Sequence, residues 1–435
     1  MLHIANKWIF TLSFFFIMAV FLPVQESVAT TFRAIYADAP GTGFYDETHM
    51  TDQLAQGNII GTTVGEVRRN AFEAALDILE ENISTNNNEG VVIQASFDDL
   101  GAPSSRGIVL GGALPADHVF LGLVPGLPVC SASSFFQTPP QCSVPLLNEP
   151  GVVGVPLALA EHITGQGFNG NNPDILIKFN ERAPFYFGTE TTPFNYVNFV
   201  LVAAHELFHG LGFYDSFRED GSFIALTELG GSLVPVFSYY DINLYSESEE
   251  DLLVNLSQSE RRNAITSVDG LSWDGTLGGL FDTSCGQLMG EALMDYYPSA
   301  VDKEGRPQLY APRPYEPGSS ISHFVQTSKD LMKPSVDGVE HADFTLGVLL
   351  DMLWVVGDIS PDRLEVLEDC LTSSGGETEP ESTPAPDTPG QSSGGGSGGG
   401  CTIAETQAMS QNTILNLLLI LLTMVPCFQL YRRGG

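Results

Sequence analysis

The sequence predicts an α+β fold, and three observations carry that prediction. Apolar residues at Val67, Phe72, Ala75, Leu76, Ile78 and Leu79 recur at helical spacing between Val64 and Asn82. Two segments, Gly90 to Leu100 and Asp174 to Asn180, are rich in β-branched residues or alternate in polarity and read as strands. An apolar run that starts near Phe194 has no proline or charge between Asn195 and Ala204, and reads as a buried helix. A long helix, a mixed sheet and a second helix in that order make an α+β upper half.

The elements follow in chain order. Residues 30–63 are irregular, with turn signals at Ala39-Pro40-Gly41 and Gly57-Asn58. The helix from Val64 to Asn82 comes next, then a strand opened by Val91-Val92-Ile93. Ile108 to Leu127 is apolar and punctuated by glycine, a strand with loops. After Phe213 the pattern loosens. Ser257 to Thr266 reads as a short helix, Tyr310 to Ser320 as a Pro/Gly loop, and Thr345 to Val356 as a closing helix that packs back on the core. No internal repeat is visible and no linker precedes Leu371, so one folded unit over 30–370 is expected, with a regular upper half and a more irregular lower half ending in a helix.

The two ends read differently. Lys7, the apolar run Trp8 to Val24 and the small-residue exit Ser27-Val28-Ala29 form a secretory signal over 1–29. Residues 371–400 turn to Gly, Ser, Thr, Pro and Glu, a composition that buries no core and reads as a flexible tether. In the tail, 401–435, the apolar stretch Ile414 to Leu430 would span roughly 26 Å as a transmembrane helix, and Arg432 and Arg433 behind it predict a cytoplasmic C-terminus. Tether, Cys401, apolar helix and basic end together resemble the tripartite C-terminal sorting tails of Gram-negative bacterial surface proteins, the GlyGly-CTERM type. That resemblance implies an exported protein of the bacterial cell envelope and a sorting protease acting near Gly394 to Cys401. Lasting membrane anchorage by the uncut helix is the alternative.

Lys plus Arg total 18 against 53 Asp plus Glu, a formal charge of −35. Such a surface repels nucleic acid and anionic lipid, which excludes those partners. Weak Ca²⁺ binding suits it, but no motif supports a site. Outside the tail stand Cys130, Cys142, Cys285 and Cys370, an even number that in an exported chain suggests two disulfides. Of the three possible pairings, Cys130–Cys142 closes the shortest loop and leaves Cys285–Cys370.

The chemistry sits in His205-Glu206-Leu207-Phe208-His209-Gly210-Leu211-Gly212-Phe213. Two histidines four apart lie one above the other on a helix face. They can bind one Zn²⁺, with Glu206 placed as general base for a water activated there. A catalytic zinc needs a third protein ligand. Asp215, six residues beyond His209, completes an H-E-x-x-H-x-x-G-x-x-D pattern of the metzincin type; His323, in Gly318-Ser319-Ser320-Ile321-Ser322-His323-Phe324, is the other candidate. An acidic cap from the N-terminal segment (Asp38, Asp46 or Glu47) is a conceivable latency device.

The nine-residue helix motif, followed far downstream by Ser322-His323-Phe324 and then Leu331-Met332-Lys333-Pro334, resembles the leishmanolysin-type metzincins and their bacterial relatives. The resemblance covers most of 60–356. It implies His205, His209 and His323 as the zinc ligands, Glu206 as general base and Met332 as the residue of a methionine turn beneath the metal. It also implies a metzincin-like zincin fold and a zinc metalloendopeptidase acting on protein or peptide substrates. The rival reading, from another class, is a cell-surface adhesion or binding protein with a structural or relict zinc site.

Overall fold

Strand β1 (Phe32–Tyr36) leads through a 3₁₀ turn (Gly43–Tyr45) and a short helix α1 (Gln53–Gln56) into α2 (Val64–Asn82). This is the computed structural model of the chain, which describes residues 32–84, 90–103, 107–123, 150–275 and 297–356 except 337 and 340. The expected signal segment, tether, tail and all four cysteines named above lie outside the described residues. No described helix is long and apolar enough to cross a membrane.

Helix α2 starts where the sequence says it should. The Thr63 side chain accepts a hydrogen bond from the Glu66 N–H, and the Glu66 carboxylate returns to the Thr62 N–H, so the first turn is capped and acidic. Its stripe of Val67, Ala71, Phe72, Ala75, Leu76 and Leu79 is buried. After β2 (Ile83–Ser84) come β3 (Val91–Asp98), β4 (Gly111–Pro115), β5 (His118–Leu123), β6 (Gly151–Pro156), α3 (Leu157–Thr164) and β7 (Ile175–Asn180).

The principal sheet has the order β1-β3-β7-β4; the first three strands are parallel and β4 is antiparallel to β7. Alternation explains its one covered face. Ile93, Ala95 and Phe97 on β3 and Ile175, Ile177 and Phe179 on β7 are buried, while Lys178 is exposed. Helix α2 and the helix carrying the histidines pack on each other and serve that core, where the Phe179 and Phe199 rings lie 4.7 Å apart. Strand β1, inside a segment expected to be irregular, is an edge strand among the described residues, and only Phe32 on it is buried. Its apolar signal is too thin to stand out.

Short strands β8 (Phe185–Tyr186) and β9 (Val197–Asn198) lead into α4 (Phe199–Gly210). The lower half opens with a hairpin, β10 (Ala225–Leu229) and β11 (Ser232–Ser238), turned by Gly230 and Gly231 at φ 61° and 85°. It extends a second sheet, β10-β11-β6-β5. A third sheet is made by β12 (Leu244–Ser246), β13 (Asp251–Leu252) and β14 (Leu271–Trp273), with α5 (Gln258–Ala264) between the last two. Ser257 and Glu260 form a reciprocal capping box on α5. The closing helix α6 spans Asp343–Asp351, one turn short of expectation, because the chain breaks out at Leu353 (φ 73°). Strand β15 (Val355–Val356) then pairs with β2, joining the segment after α6 to the segment after α2.

One cation organises the acidic lower half. Arg306 reaches Asp302 at 2.7 Å, Glu247 at 2.8 Å, Asp274 at 3.1 Å and Glu304 at 3.2 Å, and its guanidinium lies over the Tyr245 ring. Glu247, Asp302 and Glu304 are close enough to hold a cation, and the guanidinium already stands among them, offsetting part of their charge. Arg306→Ala should therefore destabilise the fold by about 3–5 kcal/mol, because it leaves clustered carboxylates without their counter-charge. Denaturant unfolding measures this; a loss below about 0.5 kcal/mol would place these contacts among ordinary exposed ion pairs.

Candidate metal centre

Helix α4 begins later than the apolar run. Pro193 to Tyr196 forms a turn closed by the Tyr196 N–H on the Pro193 carbonyl, with Asn195 at φ 71°, and Phe194 stands 90% exposed. Asn198 is the true cap: its side chain accepts from the Leu201 N–H at 3.0 Å. From Val202 to Phe213 every residue is buried. The helix ends at Gly210, and the chain turns out of it at Gly212, at φ 124°, where a Cβ would lie 2.7 Å from Met352 Cε and 3.0 Å from Pro156 Cγ. Only glycine tolerates both that backbone and that crowding. The Trp354 indole N–H donates to the Leu211 carbonyl at 3.1 Å, so the closing segment seals the helix exit.

His205, His209 and His323 come together. Their Nε2 atoms lie 3.1, 3.2 and 3.3 Å apart, and all three rings are buried. Each Nδ1 faces a backbone carbonyl: Leu331 for His205 at 2.8 Å, Phe213 for His209 at 2.6 Å, Ser319 for His323 at 2.8 Å. A carbonyl only accepts, so every Nδ1 carries the hydrogen and every Nε2 turns a lone pair inward. Burial pushes His205 down to about 4 and His209 down to about 3, and holds His323 well below the ordinary imidazole range, so the three are neutral at pH 7. Three lone pairs pressed together repel unless a cation sits among them. Tetrahedral coordination at ordinary zinc–nitrogen lengths sets ligand nitrogens about 3.3–3.4 Å apart, close to the observed spacing. The group could hold a metal ion. Imidazole donors suit zinc and several other transition metals, so the donor set alone does not select one.

Glu206 lies between the two helical histidines and is fully buried. A Cβ on Gly111 would stand 3.1 Å from its Cγ and 3.2 Å from its Oε1, so the carboxylate lies directly against β4. Among the described residues β4 is the outer strand of the principal sheet. Gly111 thus belongs to the site, and no spacing in the sequence marks it.

Met332 is fully buried in the turn whose Leu331 carbonyl orients His205, and its own carbonyl accepts from the Phe324 N–H at 2.8 Å. Asp215 stays out of the histidine group. It accepts from the Phe217 N–H at 3.0 Å and from the Ser322 side chain, beside His323. Burial, then the neighbouring Asp241 carboxylate, pushes Asp215 up to about 8. The acidic N-terminal candidates are likewise placed elsewhere: Asp38 accepts from the Phe44 and Phe97 N–H groups, Asp46 from that of Thr48, and Glu47 is exposed.

The loop that presents His323 is constrained. Ile321, two residues earlier, is fully buried at φ 74°, a conformation that β-branched residues avoid. The Tyr240 hydroxyl donates to its carbonyl and its N–H donates to the Tyr310 carbonyl. The chain matches no family model, no curated protein and no solved structure.

Proposed function

We propose that the chain is a zinc-dependent endopeptidase of metzincin type, similar to the leishmanolysin-like enzymes. The observation that carries this reading is the convergence of three inward-facing Nε2 atoms, two of them from the helix that also carries the buried Glu206 carboxylate. Three neutral ligands would leave Zn²⁺ its full charge, supplying the Lewis acidity that polarises a peptide carbonyl and makes water acidic near neutral pH. The Glu206 carboxylate accepts the proton of the attacking water and passes it to the departing amine. The carbonyl partners of the three Nδ1 atoms fix the tautomer of each ring, so the lone pairs need no rearrangement. A substrate in extended form can lie along β4, the outer strand among the described residues, pairing backbone to backbone as an added strand, with its scissile bond near Glu206.

Export and tethering at a bacterial envelope belong to the same proposal and rest on the signal-like N-terminus and the tail. Cleavage of casein or a peptide library should be abolished by a chelator and restored by zinc. A chain that binds zinc yet cleaves nothing under any zinc condition would instead fit the adhesion or binding protein.

A further inference from the structure

We infer that Asp330 is a positioning residue that sets the geometry of the metal centre and couples it to the closing helix; this rests on the metal site proposed above. Asp330 is fully buried. One carboxylate oxygen accepts from the Met332 N–H at 3.0 Å and from the Thr345 hydroxyl. The other accepts from the Phe344 N–H at 2.9 Å and the Thr345 N–H at 3.3 Å, both in the first turn of α6. His341 lies beside it, with Nδ1 at 3.4 Å, while its Nε2 meets the Ser328 carbonyl at 2.8 Å. A single carboxylate therefore collects donors from the turn and from the first turn of α6, segments also joined by the Asp330–His341 backbone bridge, and its charge suits the positive end of the helix.

The consequence reaches two of the three ligands. Leu331, next to Asp330, gives its carbonyl to His205 Nδ1, and its N–H is held by the His341 carbonyl. Met332, whose N–H is bound by Asp330, gives its carbonyl to the Phe324 N–H, adjoining His323. Moving the turn moves the Leu331 carbonyl and the backbone that presents His323 together. An asparagine at this position has only one accepting oxygen and turns an amide N–H₂ toward backbone donors, so either the turn or the helix loses its partner. The coupling also gives α6 a role beyond packing: its first-turn N–H groups hold Asp330, and Asp330 holds the turn.

The test compares metal affinity with fold stability in the full chain. For Asp330→Asn, the dissociation constant for Zn²⁺ or Co²⁺, read by competition with a chromogenic chelator, should rise about 10–100-fold, as expected for groups that orient metal ligands. The apo protein should keep its circular dichroism. Leu79→Ala, on the buried face of α2, is the control: it should lower the apo melting temperature and leave metal affinity unchanged. If Asp330→Asn binds metal as tightly as the unaltered chain, whatever its melting temperature, Asp330 is merely structural and the inference is overturned. Should that variant not fold, Thr345→Val decides, because it removes only the hydroxyl sharing an oxygen with the Met332 N–H. Weaker metal binding by Thr345→Val supports the inference, and unchanged binding overturns it. An unaltered chain that takes up neither metal overturns the proposed centre itself, an outcome distinct from equal affinity in both chains.

Discussion

Glu206→Gln is expected to lower kcat/KM for peptide cleavage by about 10²–10⁴-fold, the usual contribution of a general base. In free energy that is about 3–5 kcal/mol of transition-state stabilisation. The substitution is nearly isosteric, which matters because Glu206 is fully buried and its Cγ and Oε1 sit within contact distance of where a Gly111 Cβ would be. Glutamine fills the same space and keeps a hydrogen-bonding oxygen, but it cannot take the proton of an attacking water. Metal content should stay unchanged, since all three converging nitrogens belong to histidines. Metal uptake and cleavage therefore separate in this variant. Undiminished proteolysis by the metal-loaded variant would remove Glu206 from the mechanism, and loss of metal together with activity would make it part of the metal's environment instead.

Parts of this architecture are written locally in the sequence and parts are not. Helix α2 is legible because its cap, its acidic first turn and its apolar stripe all lie within one contiguous stretch. The facing of His205 and His209 follows from helical spacing alone. Other elements depend on partners far along the chain. Strand β1 is held by pairing with β3, and little in Phe32 to Tyr36 itself demands a strand. The β10–β11 hairpin does carry a turn signal in Gly230-Gly231, but Leu226 and Leu233 are exposed, so apolar alternation does not mark its inner face. The start of α4 was obscured in the opposite way: Phe194 prolongs the apolar run and then points into solvent beyond the Asn195 turn. At the site, nothing in residue spacing places Gly111 against Glu206, or Asp330 between a turn and a helix. Both relations are created by tertiary packing.

The third donor is the sharpest case, because two residues compete for it and the geometry separates them. His323→Ala should reduce metal affinity by more than the 10–100-fold typical of outer partners, since it removes one of three direct donors. It should abolish peptide cleavage with it. Asp215→Ala should keep its metal, because that carboxyl group is engaged with the Phe217 N–H and the Ser322 side chain and lies outside the histidine group. Its cost should appear as stability, about 1–3 kcal/mol for partners left unsatisfied in the interior. Metal content by elemental analysis and unfolding by denaturant, measured on both variants, give opposite patterns under the two assignments. Metal retained by His323→Ala and lost by Asp215→Ala would make Asp215 the ligand and overturn the present one. The expected pattern has a structural cause. Tyr310 binds both the His323 carbonyl and the Ile321 N–H through its backbone, and Tyr240 holds the Ile321 carbonyl. With Ser322 held by Asp215 and the Phe324 N–H by the Met332 carbonyl, the residues on both sides of His323 are tied down, and its ring is carried back to the helix more than a hundred residues upstream. Under the proposed assignment Asp215 supports the loop that presents His323 and stays outside the three converging nitrogens.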